Sequence, residues 1–401
     1  MRISPYGGTL VSRVVDEAQW KKVLVAAGTH SVQIPDEDQI NLFNLATGCY
    51  SPLTGFMTEQ EYSDVLDSNK LPTGVDWTIP VLLRVDKALA GTLTNGDSVA
   101  LRDQSLRPLA ALEVESIFSI DTEQYCAKVF GTTSSEHPGV QDCLRKPVTC
   151  LGGTIHLPAS SIPSLRHFQS PVALRAWLDA SGKETVTAFS TRNVCHLGHE
   201  YLHTLALEIT DMLGINVITG AQVKGNFLSD VIFDTYEYLV EHYYPRNKVF
   251  LQNLRIPPIY AGPREAFLQA TVLQNLGFTH FIVGRDHAGT GNYYGRYASQ
   301  EIFRELTDLD IEILPISEPR FCKVCKKITT DRSCRHTGAD VTLINGRDVR
   351  RFLLEKRYAE LSNIVREDLQ RYLTGLVEEH IDRSSHAPEL ELAKTRQLFY
   401  N

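Results

Sequence analysis

No apolar run in the chain reaches the ~18 residues that a bilayer-crossing helix needs, which excludes a membrane-spanning helix. The first residues, Met1-Arg2-Ile3-Ser4-Pro5-Tyr6-Gly7-Gly8, lack the apolar stretch of a secretory signal, so a cytoplasmic setting is expected. Positive charge is also short. Lys and Arg number 40 against 48 Asp and Glu, a net charge of −8. That balance excludes the broad basic face of a general nucleic-acid binder but leaves room for a small anion pocket. There is no internal repeat and no low-complexity tract.

What remains is an ordinary globular composition, 43% apolar and 22% charged over 401 residues. At roughly 100–200 residues per domain this length suggests two or three domains. Eight cysteines stand at 49, 126, 143, 150, 195, 322, 325 and 334. In a large cytosolic chain they read as thiols or metal ligands rather than disulfides.

Residues 1–163 are strand-rich. Short β-prone runs such as Trp77-Thr78-Ile79-Pro80-Val81-Leu82-Leu83-Arg84-Val85 are separated by turn signals at Gly7-Gly8, Asn95-Gly96-Asp97 and Gly152-Gly153. This predicts a barrel-like β domain. The Pro/Ser-rich stretch 157–164 marks its boundary. From 164 to 315 short buried-type strands at 185–189, 215–219, 248–251 and 279–283 alternate with helical segments at 197–213, 230–242 and 263–275. Alternation of that kind predicts an α/β domain with a parallel sheet, whose ligands sit at the carboxyl ends of the strands. Residues 316–401 open on a Cys/His cluster and continue as mainly helical sequence rich in Arg and Glu.

Two segments after predicted strands carry the chemistry. The first is Ser190-Thr191-Arg192-Asn193-Val194-Cys195-His196-Leu197-Gly198-His199. His196 and His199 fall three apart at the start of a helix, where free N–H groups and the dipole favour a phosphate. Two imidazoles there can donate to charge developing on that phosphate. Arg192 can form a bidentate pair with an oxyanion. His203, on the same face, reads as a polar residue on an exposed helix face, and Cys195 as a packing thiol. A metalloprotease-type site, which uses an i, i+4 pair with an intervening Glu, is disfavoured for the 196/199 pair.

The second segment is Gly284-Arg285-Asp286-His287-Ala288-Gly289-Thr290-Gly291, whose three glycines allow close backbone approach to a ligand. Just upstream, Tyr260-Ala261-Gly262-Pro263-Arg264-Glu265-Ala266 places Arg264 in the first turn of a helix. The dipole disfavours a cation there, which favours an anion-binding or ion-pair role. An internal Arg–Asp pair that only shapes the loop is the competing reading of Arg285 and Asp286.

Cys322-Lys323-Val324-Cys325 followed by Cys334-Arg335-His336 supplies three thiolates and an imidazole. Such a set suits a structural tetrahedral zinc site with Cys322, Cys325, Cys334 and His336 as ligands.

At these residues the chain resembles the ATP sulfurylase (sulfate adenylyltransferase) family, of the bacterial type with a zinc knuckle. The resemblance runs the whole length. Ser4-Pro5-Tyr6-Gly7-Gly8 is similar to its N-terminal Pro-His-Gly-Gly segment, and Ser51-Pro52-Leu53-Thr54-Gly55-Phe56-Met57 to its Ser-Pro-Leu-x-Gly-Phe-Met motif. Thr191-Arg192-Asn193 with His196-Leu197-Gly198-His199 is similar to Gln-Thr-Arg-Asn and His-x-x-His. Ala261-Gly262-Pro263-Arg264-Glu265-Ala266 and Gly284-Arg285-Asp286-His287-Ala288-Gly289 are similar to two further motifs.

The resemblance implies a PUA-like N-terminal barrel and a Rossmann-like nucleotidyltransferase domain. A small zinc-containing C-terminal domain and homo-oligomeric assembly are implied too. It implies a reaction of magnesium-bound ATP with sulfate to give adenylyl sulfate and pyrophosphate, by in-line attack on the α-phosphorus. Arg192 and the Ala288 backbone would hold the oxyanion. Asn193, His196, His199 and Arg285 would hold the ATP phosphates, and Gly284 and Asp286 would lie near the nucleoside. No general base is needed, because sulfate is already ionised; the task is positioning and charge stabilisation. No Gly-x-x-x-x-Gly-Lys-Ser/Thr loop is present, so no fused adenylyl sulfate kinase is expected.

The chain departs from the family pattern at several places. Ser190 stands where Gln is usual, Val194 replaces a frequent Pro, and Pro258-Ile259 replaces a common Met-Arg. Gln269 replaces a common His. Ile344-Asn345-Gly346-Arg347-Asp348-Val349-Arg350 replaces Ile-Ser-Gly-Thr-x-x-Arg. These changes leave the ATP side matched. They open the oxyanion side to another acceptor, such as a phosphonate or sulfonate, or to a paralogue that binds nucleotide without turnover.

Overall fold

The computed structural model describes residues 3–220, 225–384 and 398–400. The chain divides into two compact units. Met1–Glu184 with Arg255–Leu314 forms the first, and Thr185–Leu254 with Pro315–Asn401 the second.

The first unit holds a seven-stranded sheet. Its strands are β1 (Val14–Val15), β2 (Ser31–Gln33), β3 (Gly55–Phe56), β4 (Leu83–Val85), β5 (Ser98–Arg102), β6 (Pro108–Ser119) and β7 (Thr149–Pro158). They run in the order β1-β7-β6-β5-β2, and β3 and β4 also pair with β7. The long β6 and β7 are antiparallel and carry a bulge between Val114 and Ser116. Gly152-Gly153 reads as a turn in the sequence, but the structure places it inside β7. The reason is close approach of neighbouring backbone. A Cβ on Gly152 would lie 2.2 Å from the Met57 carbonyl oxygen, and one on Gly153 2.0 Å from that of Glu113. Of the β-prone run 77–85 only Leu83–Val85 pairs as a strand. Pro80 interrupts the run, and Trp77 turns its indole N–H onto the Ile79 carbonyl at 2.7 Å.

The helix Pro263–Leu276 in this unit is buried without a break from Glu265 to Leu276. Its polar residues are consequently obliged to find partners. Gln274 accepts from the Asp310 N–H at 2.9 Å and donates to the Ser4 carbonyl at 3.1 Å. Asn275 accepts from the Tyr6 N–H at 2.9 Å and donates to the Cys49 and Ser51 carbonyls, each at 3.0 Å. Beyond the helix come β11 (His280–Val283) and its neighbour β12 (Glu312–Pro315).

In the second unit β8 (Val186–Thr191), β9 (Met212–Ile218) and β10 (Val249–Leu254) form a parallel run in the order β10-β9-β8. The helices Leu197–Ile209 and Ser229–His242 make the two crossovers. The strand-and-helix alternation read from the sequence is therefore present, with strands starting and stopping a few residues from the expected bounds. The C-terminal part holds helices Gly346–Leu354, Tyr358–Leu361 and Glu367–Ser384, as expected. It also holds three short antiparallel strands that the sequence did not announce, β13 (Arg320–Cys322), β14 (Lys327–Thr329) and β15 (Val341–Leu343). Three residues are too few to show alternation. No helix among the described residues is long and apolar enough to cross a membrane.

Asn275 satisfies three buried backbone groups at once. Asn275→Ala is expected to destabilise the first unit by roughly 3–5 kcal/mol, since each orphaned group costs about 1–3 kcal/mol. The check is thermal denaturation; an unchanged midpoint would refute the role.

Candidate active site

Strand β8 delivers Thr191 and Arg192, and the chain then turns into the helix Leu197–Ile209. Thr191 organises the turn. Its hydroxyl accepts from the Asn193 N–H at 3.1 Å and donates to the Asn193 carbonyl at 3.3 Å. His196 is the N-cap. Its Nδ1 accepts from the His199 backbone N–H at 3.2 Å. That bond fixes its neutral tautomer, because an accepting Nδ1 puts the ring proton on Nε2. The His196 and His199 rings stack with centroids 3.6 Å apart. Tyr236, on the helix Ser229–His242, puts its hydroxyl 3.0 Å from His199 Nδ1 and 3.3 Å from the Asn193 carbonyl.

Burial pushes the His196 imidazole down to about 4. His199 is lowered well below the ordinary histidine range by burial and then by the two neighbouring rings. Both rings are therefore neutral near pH 7, and they offer N–H donors rather than positive charge. Positive charge comes from arginine. Arg192 follows the strand directly and is partly exposed. Arg350 donates to the Asn193 side-chain oxygen at 3.1 Å. Its own helix can come this close only because residue 346 is glycine: a Cβ there would lie 2.1 Å from Asn193 Oδ1. Burial, then the nearby Arg347 charge, pulls Arg350 below the usual guanidinium value.

His203 is fully buried; its Nδ1 meets the Tyr244 hydroxyl at 2.6 Å and its ring packs on Phe189. It supports the helix from inside, whereas the sequence suggested a polar residue on an exposed helix face; Phe189 and Tyr244 close over that face and bury the ring. The spelling His199-Glu200-Tyr201-Leu202-His203 does match the metalloprotease pattern, which the sequence reading passed over. The structure commits those side chains elsewhere. Glu200 pairs with Arg366 at 3.0 Å, His203 with Tyr244, and His199 with Tyr236. Cys195 is fully buried, and burial pushes its thiol well above the ordinary range, which suits a packing residue. Ser190 presents a buried hydroxyl oxygen with no hydrogen-bond partner. So does the side-chain oxygen of Asn216, its registered neighbour on β9.

In the first unit the loop 284–291 is tightly wound. Asp286 and Ala288 adopt φ of 51° and 56°. The Asp286 carboxylate folds over Gly289, where a Cβ would lie 2.0 Å from Asp286 Oδ1. The Ala288 carbonyl accepts from the Gly262 N–H at 3.1 Å, which ties this loop to the 258–262 turn. Glu265 holds that turn; its buried carboxylate accepts from the N–H groups of Ile259, Tyr260 and Ala261 at 3.2, 2.7 and 3.3 Å. His287 contacts Gln269 through Nε2 at 2.8 Å, and Gln269 donates to Glu265 at 3.2 Å. Arg285 is exposed. Arg264 donates to the Thr78 carbonyl at 2.9 Å and to the Asn69 side chain, bonds to neutral groups that make it an internal strut.

Cys322, Cys325, Cys334 and His336 converge, with their ligand atoms all within 4.8 Å of one another. The sulfurs of Cys322 and Cys325 lie 3.7 and 3.8 Å from that of Cys334. His336 Nδ1 lies 3.3–3.5 Å from all three. A tetrahedral ion with ~2.3 Å metal–sulfur bonds has sulfur–sulfur edges of about 3.8 Å, so the set fits a metal ion. The Cys325 N–H points at Cys322 Sγ at 3.3 Å, and Arg320 ties the far side through the Cys334 and His336 carbonyls.

Sequence reasoning missed Tyr236 and Arg350 as members of the constellation. Arg350 carried a signal, because it closes the 344–350 segment. Tyr236 carried none, since an inward tyrosine on an amphipathic helix looks like any core aromatic.

The buried neutral histidines set an acid limit. Burial, then His196, drives His203 down to about 3, whereas an unfolded histidine titrates near 6.5. Between those values the unfolded chain binds more protons, so stability is full above about pH 6.5 and falls as pH drops below it. At pH 5 the loss is about 2 kcal/mol for each histidine kept neutral. The thermal midpoint is expected to fall between pH 7.5 and 5, less steeply in His203→Gln. An identical slope in that variant would contradict this account.

Residues 166–360 match the ATP-sulfurylase family, and residues 3–159 the PUA-like domain. The sulfate adenylyltransferase of Hyperthermus butylicus is 40% identical over 353 residues, covering 88% of this chain and 90% of that protein. That of Ignicoccus hospitalis is 40% identical over 354 residues, covering 88% and 92%. A solved structure titled hexameric APS kinase, from Thiobacillus denitrificans, superposes with a TM-score of 0.70 at 22% identity, a likeness of fold; it covers 88% of this chain and 64% of that one. The order of the motifs, the PUA-like and parallel-sheet architecture, and identity at this level over nearly the whole length lead to one conclusion: the chain belongs to the ATP sulfurylase family, the sulfate adenylyltransferases.

Proposed function

We propose that the chain is a sulfate adenylyltransferase, a nucleotidyltransferase that joins the adenylyl group of ATP to sulfate and releases pyrophosphate. The observation that supports this reading best is the junction after β8. Two neutral, stacked imidazoles stand at a helix N-terminus with Nδ1 of each occupied inside the protein. That leaves Nε2 of both rings for a phosphate.

The roles follow from chemistry and family resemblance. Arg192 holds the sulfate dianion as a bidentate partner, beside Ser190 and Thr191. Asn193, His196 and His199 bind the triphosphate and stabilise the charge that grows on the bridging oxygen as the α-phosphorus is attacked. In the 284–291 loop the Ala288 N–H serves the oxyanion, and Arg285 a phosphate. Gly284 and Asp286 line the nucleoside, with His287 and Arg264 shaping the turn around them. Magnesium would travel with ATP and neutralise its phosphates. Zinc would sit in the Cys322, Cys325, Cys334 and His336 set and close β13–β15 around it. In functional terms the chain reads as segments 1–163, 164–315 and 316–401, in a cytoplasmic homo-oligomer.

A second reading has one observation behind it. Ser190 replaces a longer residue of the family and leaves its own hydroxyl and Asn216 Oδ1 without partners. A phosphonate or sulfonate acceptor is the reading that this replacement favours. Incubation with ATP, magnesium and a panel of sulfate, selenate, molybdate, phosphonates and sulfonates, read by pyrophosphate release, separates the two. Sulfate is expected to give the highest kcat/KM, and His199→Ala to lower it by about a hundredfold, the scale of one lost transition-state donor. No release at millimolar sulfate would sink the main reading.

For the metal, the purified protein is expected to carry one zinc per chain by elemental analysis and Cys334→Ser to lose it. Stripping the metal should lower the thermal midpoint. A full complement of zinc in Cys334→Ser would exclude this ligand set.

A further inference from the structure

We propose that Tyr236 is a positioning residue for the adenylyl transfer: its hydroxyl donates to Nδ1 of His199 and so fixes the tautomer in which Nε2–H is presented to the nucleotide phosphates. This rests on the reading of His199 as a phosphate donor given above.

The Tyr236 hydroxyl has one proton; His199 Nδ1 lies at 3.0 Å and the Asn193 carbonyl at 3.3 Å, and the Thr191 and Cys195 side chains are also hydrogen-bonding neighbours. If the proton goes to the carbonyl, the contact with His199 requires Nδ1 to carry the ring proton. Nε2 then presents a lone pair, which repels an anionic phosphate. If the proton goes to Nδ1, Nε2 carries the ring proton and becomes a donor. The shorter contact favours the second arrangement. So does the carbonyl's other partner, because the Thr191 hydroxyl already donates to Asn193 O at 3.3 Å. Giving the phenol proton to the ring therefore leaves no carbonyl orphaned.

The neighbouring ring is set in the same sense. His196 Nδ1 accepts the His199 backbone N–H, so His196 also carries its proton on Nε2. With the rings stacked at 3.6 Å, the two fixed tautomers make a pair of donors side by side. The protein holds one by a backbone amide and the other by a tyrosine. Tyr236 is fully buried, and burial drives its phenol far above the working range, so its proton is always available to donate.

The test is Tyr236→Phe, read three ways: 15N shifts of the histidine ring nitrogens with His199 assigned through His199→Gln, thermal midpoint, and steady-state kinetics. In the unmodified protein His199 is expected to show an unprotonated Nδ1 and a protonated Nε2. Tyr236→Phe should give mixed tautomers and lower kcat about tenfold, the scale of one net hydrogen bond, with KM for ATP little changed. Thr191→Val probes the same switch without touching Tyr236. It removes the carbonyl's alternative donor and should raise the Nδ1–H share. A protonated Nδ1 in the unmodified protein, or unchanged ring shifts in both variants, would overturn the proposal. So would a loss confined to thermal stability. If no acceptor released pyrophosphate yet the ring shifts behaved as stated, the reaction would be wrong and the control of His199 by Tyr236 upheld.

Discussion

A hydrogen bond from the His199 backbone N–H to Nδ1 of His196 sets what the junction after β8 can do. Helix starts are usually capped by Ser, Thr, Asp or Asn. A histidine in that place uses one ring nitrogen as the cap and keeps its proton on the other. The cap thereby determines the tautomer, and burial keeps the ring neutral. From this follow the stacking of His199 on His196 and the need for Tyr236 to orient the second ring. The acid sensitivity of the unit has the same origin.

Neutral imidazoles change where charge must come from. A phosphate chain and an oxyanion both need cations, and the histidines supply none near pH 7. Arg192 and Arg350 are the cations at this junction. Arg350 arrives from a helix far along the sequence, admitted by Gly346 against Asn193. Under the proposed function labour would divide: arginines supply charge, and imidazoles and the Asn193 amide supply directed N–H donors. Directed neutral donors suit charge that grows during the reaction, because they need no counter-ion in the resting state.

Much of this was legible in the sequence. The strand–turn–helix at 186–209 followed from apolar runs and histidine spacing, and Cys322, Cys325, Cys334 and His336 from ligand chemistry. His203 read as an exposed polar residue, and the structure instead buries it against Phe189 and Tyr244, which helix spacing alone does not reveal. What escaped was of two kinds. Gly152-Gly153 looked like a turn because glycine signals both turns and close strand approach, and only the partner strands decide between them. Tyr236 escaped because its role depends on an atom three ångströms away on another element. The metalloprotease spelling at 199–203 shows the converse: a local pattern can be complete while Tyr244, Arg366 and Tyr236 claim each of its side chains.

The departures from the family pattern are not equivalent, and their hydrogen bonds separate them. Gln269 stands where histidine is common, yet its side-chain oxygen accepts from His287 Nε2 at 2.8 Å and its amide nitrogen donates to Glu265 at 3.2 Å. An amide can accept at one end and donate at the other. The link from the buried helix to the 284–291 loop is thus preserved, and Glu265 keeps its three backbone N–H groups. Ser190 is different. A hydroxyl on so short a side chain reaches nothing, and Asn216 Oδ1 beside it is equally unserved. Buried oxygens without partners cost free energy that a core substitution would ordinarily remove. Ser190 lies at the end of β8, directly before Thr191 and Arg192, which under the proposed function is the acceptor side of the site. Under the proposed function, the nucleotide side would rest on His196, His199, Asn193 and Tyr236, which are tied to one another by hydrogen bonds and stacking.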